Sequence, residues 1–177
     1  MVEMRAIVFC PACRIFWGAE DEAKCVDPNH AGSHGLHEMH VHRDEVELCD
    51  GTVVVAVTFD ERDPYSRGVV PDFGLYLDDR WQPPWAHAHI EWPDFGLPND
   101  PKTLLVALDD ALERARNGQR VEIGCWGAHG RTGTALACLA VLTGCPPKDA
   151  VEWVRAAYCE RAVETPEQAR FVGTFSP

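Results

Sequence analysis

The sequence lacks any long apolar run. No stretch approaches the ~20 consecutive apolar residues that a membrane-spanning helix needs, and the first ten residues, MVEMRAIVFC, do not have the pattern of a secretory signal. We therefore expect a cytoplasmic protein that does not span a membrane.

Basic residues are also scarce. The sequence contains 16 Lys and Arg residues and 28 Asp and Glu residues, which gives a formal net charge of -12. Nucleic acids and anionic membranes are negative, so this charge makes both improbable partners. Any phosphate binding must come from a local positive field. The 177 residues, 46% apolar and 25% charged, are typical of one globular domain with at most a small appendage.

Residues 1–42 differ from the rest in holding a cluster of Cys and His. A Cys-x2-Cys pair, a third Cys and a His supply the four ligands of a tetrahedral structural zinc site, and the predicted set is Cys10, Cys13, Cys25 and His30. His34 or His37 could replace His30. The alternative is a His-rich leader with incidental cysteines. Because no export signal is present, we expect the thiols to be reduced.

The most informative stretch runs from Val121 to Leu142, VEIGCWGAHGRTGTALACLAVL. It predicts a short strand, a glycine-containing loop and a helix. Backbone N–H groups in such a loop, together with the positive end of the helix, form an anion site. Cys125 lies at the start of this loop, and Arg131, six residues later, can bind two oxygens of a tetrahedral oxyanion. The positive surroundings favour a nucleophilic thiolate, so the pattern indicates attack of Cys125 on phosphorus.

Three motifs together resemble the cysteine-dependent protein tyrosine and dual-specificity phosphatases. CWGAHGRTGT is similar to their Cys-x5-Arg loop, WPDFGLP to their Trp-Pro-Asp loop, and ETPEQARFV to the segment whose Gln positions the hydrolytic water. The resemblance covers about residues 43–177. It implies the following roles: nucleophile Cys125, phosphate clamp Arg131, general acid and then base Asp94, leaving-thiolate stabiliser Thr132, and water-positioning residue Gln168.

The resemblance further implies that the loop residues between the Cys and the Arg bind substrate, namely Trp126, Gly127, Ala128, His129 and Gly130. Two positions depart from the family pattern. Gly124 replaces a His before the nucleophile, and Ala128 replaces a Gly that could adopt a positive φ. Thr165 and Gln168 also fit a helix capping box, which is a structural alternative for Gln168.

The remaining pattern predicts an α/β fold with a central mixed sheet flanked by helices, over residues 43–177. Asp50-Gly51 indicates a hairpin before the β-branched run from Val53 to Phe59. Later stretches predict strands at Phe73 to Leu77 and Ala86 to Glu91, a helix after Asp100, and two further helices after the signature helix. The charge cluster from Asp78 to Arg80 is predicted to be a solvated surface.

These observations favour a phosphomonoester hydrolase that forms a phosphocysteine intermediate on phosphotyrosine or dual-specificity protein substrates and needs no cofactor for catalysis. Alternatives are a phosphatase of phosphoinositides or 5'-phosphorylated RNA, and a weakened phosphate-binding or adaptor protein.

Overall fold

A computed structural model describes residues 4–10, 15–18, 40–58, 65 and 67–176. Near the N-terminus the backbone forms a three-stranded antiparallel sheet of order β2-β1-β3, with β1 at Met4–Cys10, β2 at Ile15–Gly18 and β3 at His40–Arg43. The sequence pattern does not predict these strands.

The predicted zinc ligands fall almost entirely outside the described residues. Cys10 ends β1, whereas Cys13, Cys25 and His30 belong to segments that the structure does not describe. Within the described ranges, no group of three or more His, Cys, Asp or Glu side chains is arranged to hold a metal ion. The zinc site therefore stays a prediction.

The main sheet has five strands in the order β4-β5-β8-β6-β7. Their bounds are Glu45–Glu47 for β4, Val53–Thr58 for β5, Phe73–Tyr76 for β6, His87–His89 for β7 and Val121–Cys125 for β8. β4 and β5 pair as the predicted antiparallel hairpin, and the other neighbours are parallel. The mixed sheet confirms the predicted α/β class.

Four helices follow the predicted pattern: α1 at Pro101–Arg116, α2 at Gly130–Leu142, α3 at Ala150–Ala157 and α4 at Pro166–Thr174. Asp100 caps α1 by accepting a hydrogen bond from the Lys102 amide, and Pro101 occupies the first turn. α2 is buried from Gly130 to Ala140. Because water does not reach this helix, its apolar side chains can face neighbours on every side, and it contacts α1, α3, α4 and β8.

The topology brings the end of β8 to the centre of one sheet edge. β8 lies between the parallel strands β5 and β6, with Cys125 opposite Thr58 and Gly124 opposite Tyr76. In open α/β sheets, ligands bind beyond the carboxyl ends of the strands. The loop between β8 and α2 lies at that position. In the described part of the chain, no helix is both long enough and apolar enough to cross a membrane.

Candidate active site

Cys125 lies beside a cavity of about 340 Å³ that it helps to line. Its side chain is nearly inaccessible, with 2% of the residue surface exposed. The Thr132 hydroxyl, from the first turn of α2, donates a hydrogen bond to the Cys125 sulfur at 3.0 Å. A donor in this position stabilises negative charge on sulfur, whether the thiolate is the attacking or the leaving group.

Four of the five loop residues predicted to bind substrate line this cavity, namely Trp126, Gly127, His129 and Gly130. His129 is buried and lies immediately before α2, so its imidazole is not exposed to solvent at the mouth of the cavity. Ala128 is fully buried and has a φ of 53°. The sequence departure at Ala128 therefore places a residue with a Cβ in the left-handed region, a conformation that surrounding contacts have to maintain.

One such contact comes from Tyr158, which the sequence analysis did not single out. Its hydroxyl donates a hydrogen bond of 2.7 Å to the Ala128 carbonyl, and both residues are buried. Burial raises the pKa of Tyr158 well above its ordinary value, so the hydroxyl stays protonated and remains a donor. Tyr158 thus holds the loop at its strained residue.

The second departure, Gly124, is explained by the pairing of β8 with β5. A Cβ built on Gly124 would lie 2.6 Å from Val57 Cγ2 and 2.7 Å from the Val57 carbonyl oxygen. Real Cβ atoms essentially never approach other atoms so closely. Any side chain before the nucleophile, a His included, requires the two strands to move apart.

The Arg131 guanidinium is buried, with 5% of the residue exposed, and it connects three parts of the site. Its Nη1 donates to the carbonyls of Leu77 at 3.0 Å and Trp92 at 3.1 Å. Its Nη2 lies 3.2 Å from Asp78 Oδ2 and 3.3 Å from Asp94 Oδ1. The buried Nε–H has no hydrogen-bond partner among the described residues. An unsatisfied buried donor costs about 1–3 kcal/mol, and a bound oxyanion would satisfy it.

The charge cluster predicted as solvated proves to be part of the site. Asp78 is buried between two arginines, accepting from Arg80 Nε at 2.7 Å and Nη2 at 2.5 Å while it faces Arg131. Burial alone disfavours its carboxylate, but the hydrogen bonds from Arg80 and the charge of Arg131 outweigh burial and lower the pKa of Asp78. The Arg80 guanidinium lies 4.1 Å from the centroid of the Trp126 ring and lines the cavity. The prediction was wrong for Asp78 because Arg80, two residues later, and Arg131, distant in the sequence, together compensate the burial of its carboxylate.

Asp94 reaches the cavity from the WPDFGLP loop, and 59% of its side chain is exposed. Internal hydrogen bonds hold this loop in a tight turn, from Trp92 Nε1 to the Gly96 carbonyl at 2.9 Å and from the Gly96 amide to the Pro93 carbonyl at 2.9 Å. The neighbouring Phe95 has a φ of 58° and also lines the cavity. The loop therefore places one carboxylate and one aromatic ring at the same cavity as the thiol.

Gln168 is fully buried and caps α4. Its Oε1 accepts from the amides of Glu164 at 2.9 Å and Thr165 at 3.2 Å, and its Nε2 donates to the Gly96 carbonyl at 3.2 Å. The capping box is confirmed. These bonds use both lone pairs of the oxygen and one of two amide protons, which leaves one proton for a water molecule. The water-positioning role stays a prediction.

Glu164, the first residue of the ETPEQARFV segment, lines the cavity. It was not among the site residues predicted from the sequence. Its carboxylate lies against Gly130, because a Cβ built on Gly130 would be 2.4 Å from Glu164 Oε2. The only signal for Glu164 in the sequence is its position in ETPEQ, four residues before the predicted site residue Gln168. The structure thus brings Cys125, Arg131 and Asp94 to one cavity. It places the Thr132 hydroxyl against the Cys125 sulfur and Gln168 behind the loop that carries Asp94.

Comparison with known families gives a match over most of the chain. Residues 34–172 match the model described as "PTP-SAK: Swiss Army Knife protein, DSP-PTPase phosphatase domain". Two uncharacterised proteins of Methanocaldococcus jannaschii are 39% and 38% identical to this chain. Each match covers 55% of this chain, and the two matches cover 71% and 66% of the relatives.

Solved structures share the fold. Tk-PTP in its active form has a TM-score of 0.56 at 27% identity, over 71% of this chain and 91% of that chain. Kinase associated phosphatase, with a serine replacing its catalytic-site cysteine, has a TM-score of 0.59 at 15% identity, over 73% and 90% of the two chains. PTPMT1 in complex with PI(5)P has a TM-score of 0.52 at 15% identity, over 68% of this chain and 86% of that chain. The chain belongs to the PTP-SAK family of dual-specificity-type phosphatase domains and is a protein tyrosine phosphatase-like enzyme.

Proposed function

We propose that the protein hydrolyses phosphomonoesters through a phosphocysteine intermediate. The observation that carries this proposal is the convergence on one cavity of the Cys125 sulfur, the unsatisfied Nε–H of Arg131 and the Asp94 carboxylate. A nucleophile, an anion clamp and a proton donor are the three groups that transfer of a phosphoryl group to an enzyme requires.

In the first step, the Cys125 thiolate attacks phosphorus and a P–S bond forms while the bond to the ester oxygen breaks. Asp94 gives its proton to that departing oxygen. The loop amides and the Nε–H and Nη2–H edge of Arg131 hold the nonbridging oxygens. Since Arg131 already contacts Asp94 at 3.3 Å, the clamp and the acid are positioned together.

In the second step, water attacks phosphorus, Asp94 takes the proton from that water, and the P–S bond breaks to return the thiolate. The Thr132 hydroxyl, 3.0 Å from sulfur, stabilises the leaving thiolate. The remaining amide proton of Gln168 orients the water while its other contacts keep the side chain in place. Inorganic phosphate is the product.

We favour phosphotyrosine in proteins as the substrate. The thiol is nearly inaccessible, and the cavity above it carries the aromatic side chains of Phe95 and Trp126. A phenyl phosphate can contact these rings while its phosphate reaches Cys125. The shorter phosphoserine side chain offers no ring for these contacts.

Polyanionic phosphates are the second candidate. Arg80, Arg161 and His129 line the cavity in addition to Arg131, and these groups suit a second phosphate, as in a phosphoinositide or a 5'-phosphorylated RNA. An imidazole gains its positive charge as the pH falls, so a contact from His129 to a second phosphate should strengthen in acid. Replacement of His129 by Ala tests this contact through the ratio of polyanionic to simple-substrate efficiency at pH 6 and pH 8.

The deciding experiment compares the wild type with Cys125→Ser in the presence of EDTA, on an aryl phosphate, a phosphotyrosine peptide, a phosphoserine peptide, phosphoinositides and 5'-phosphorylated RNA. The wild type should hydrolyse the aryl phosphate and prefer phosphotyrosine among the peptides. The Ser variant should lose turnover and still bind an oxyanion. Steady turnover by the Ser variant would rule out the phosphocysteine mechanism, and oxyanion binding without wild-type turnover would indicate a phosphate-binding adaptor.

For residues 1–42 we propose a structural zinc module with ligands Cys10, Cys13, Cys25 and His30, in a cytoplasmic protein with reduced thiols. Support comes from the Cys-x2-Cys pair and the third Cys in the sequence. Elemental analysis of protein purified without chelator should find about one zinc per chain. Absence of zinc would refute the module and leave the phosphatase proposal untouched.

A further inference from the structure

Glu164 places a negative charge on the loop that is proposed to bind phosphate. Gly130 opens α2, and the first amides of a helix have no partner within the helix. In this structure the Glu164 carboxylate lies beside Gly130, where the amide favours its charged form. A Cβ built on Gly130 would lie 2.4 Å from Glu164 Oε2, so the carboxylate rests directly against this residue. A carboxylate here occupies the kind of position that suits an oxyanion at a helix N-terminus.

The same cavity carries an independent indication of an anion. The Arg131 side chain is 95% buried, lines the cavity and has no described partner for its Nε–H. The Glu164 carboxylate therefore already lies at the Gly130 end of the loop, while the Nε–H of the adjacent Arg131 is unsatisfied. A phosphate that binds both the Gly130 amide and Arg131 must displace the carboxylate from Gly130 or accept its repulsion.

Strained backbone directs Glu164 to this position. Val163, immediately before it, has a φ of 64°, which is an outlier for a β-branched residue. Arg155 holds the segment by donating to the carbonyls of Ala162 and Val163, both at 3.0 Å, and the Val163 amide donates to the His129 carbonyl at 3.3 Å. These contacts tie the segment to the loop, so the placement of Glu164 does not depend on its own side chain.

We propose that Glu164 is a specificity-determining residue that competes with the substrate phosphate for the Gly130 amide and thereby sets the affinity of the loop for dianions. The inference rests on the proposed function in that it takes the loop to be the phosphate site. When a phosphate binds, the carboxylate leaves Gly130. When the carboxyl is protonated, the competition weakens.

The pH dependence follows from the surroundings of Glu164. The other charged or titratable side chains lining the cavity are Arg80, Asp94, Cys125, His129, Arg131 and Arg161. Partial burial raises the pKa of Glu164 and the nearby Asp94 charge acts in the same direction, while the Gly130 amide and Arg131 oppose them. A raised pKa means that the carboxylate becomes neutral, and releases the loop, at a higher pH than an ordinary Glu does.

The test uses sulfate, which stays a dianion throughout the working pH range, and the Gly130 amide resonance of the full-length protein, which reports binding without turnover. Glu164→Gln removes the charge but keeps an oxygen that can accept from Gly130. The matched control is Glu167→Gln, because Glu167 lies on the exposed face of α4, where it pairs with Arg170. Both variants change the net charge equally.

At about pH 8, Glu164→Gln should bind sulfate roughly five- to tenfold more tightly than the wild type and the control, because hydrogen bonds to charged acceptors are stronger than those to neutral ones. The ratio of wild-type to Glu164→Gln dissociation constants should fall toward one as the pH is lowered and the carboxyl becomes protonated. On an aryl phosphate, KM should fall in the variant without a matching loss of kcat. A substitution that merely disturbed the structure would lower kcat.

Equal or weaker sulfate binding by Glu164→Gln would overturn the inference, and so would an equal gain in the control. Tighter sulfate binding by Glu164→Gln in a protein that hydrolyses no phosphomonoester would support the inference and refute the proposed function. The two failures are therefore distinguishable.

Discussion

Replacing Gly124 by Ala tests whether close strand pairing forces a glycine before the nucleophile. The new Cβ would lie 2.7 Å from the Val57 carbonyl oxygen, against 3.4 Å for an ordinary contact. The Val57 side chain can rotate to move Cγ2 away. The Val57 carbonyl oxygen belongs to the backbone and cannot move by itself, so β5 and β8 must separate by about 0.7 Å. Overpacking of this kind costs about 1–3 kcal/mol. Replacing Gly by Ala in a strand usually raises the free energy of unfolding by about 0.5–1 kcal/mol, and this gain offsets part of the overpacking cost.

A net loss of about 1–2 kcal/mol corresponds to a fall in Tm of roughly 2–8 °C for a domain of this size. Cys125 follows Gly124 directly, and a shift of a few tenths of an ångström at the nucleophile should lower kcat by about tenfold. The assays are thermal unfolding and hydrolysis of an aryl phosphate.

The matched control for this substitution is Gly173→Ala. Gly173 lies in α4, and a Cβ there would meet nothing within 4 Å. The same chemical change should therefore stabilise the protein by up to about 1 kcal/mol, through helix propensity alone. If Gly124→Ala were as stable and as active as Gly173→Ala, the explanation for the missing His would be refuted.

Two further substitutions probe the loop and the acid. Tyr158→Phe removes the 2.7 Å hydrogen bond to the Ala128 carbonyl, leaves a buried acceptor unsatisfied, and should cost about 1–3 kcal/mol in denaturant unfolding together with a lower kcat. Unchanged stability would mean that Tyr158 does not hold the strained residue. Asp94→Asn should slow alkyl phosphates far more than activated aryl phosphates, because an alkoxide leaving group needs the proton more. Equal losses across leaving groups would remove Asp94 from the acid role.

The sequence predicted those parts of the fold and site that depend on local pattern. The Asp50-Gly51 hairpin, the cap at Asp100 and the strand–loop–helix around Cys125 each depend on neighbouring residues, and each appears in the structure. The family resemblance also pointed to Ala128 as a position where a positive φ would strain the loop, and its φ is 53°.

The features that the sequence analysis missed depend on contacts between distant residues. Asp78 is buried as a carboxylate because Arg131, 53 positions later, faces it in addition to the neighbouring Arg80. Tyr158 reaches Ala128 across 30 positions, and Glu164 contacts Gly130 only because the strained backbone at Val163 turns it toward the loop. Hydrophobic periodicity describes which face of an element is buried and carries no information on such pairings.

The most direct test of the central claim is to identify the phosphorylated residue during turnover. Asp94→Asn should be mixed with an activated aryl phosphate, which needs no acid in the first step, and then denatured rapidly; the loss of the base should let the intermediate accumulate. Peptide mass spectrometry should find one phosphoryl group on Cys125 and none in the Cys125→Ser protein. Stoichiometric release of the phenol with Cys125 unmodified, or with the phosphoryl group on another residue, would contradict the mechanism.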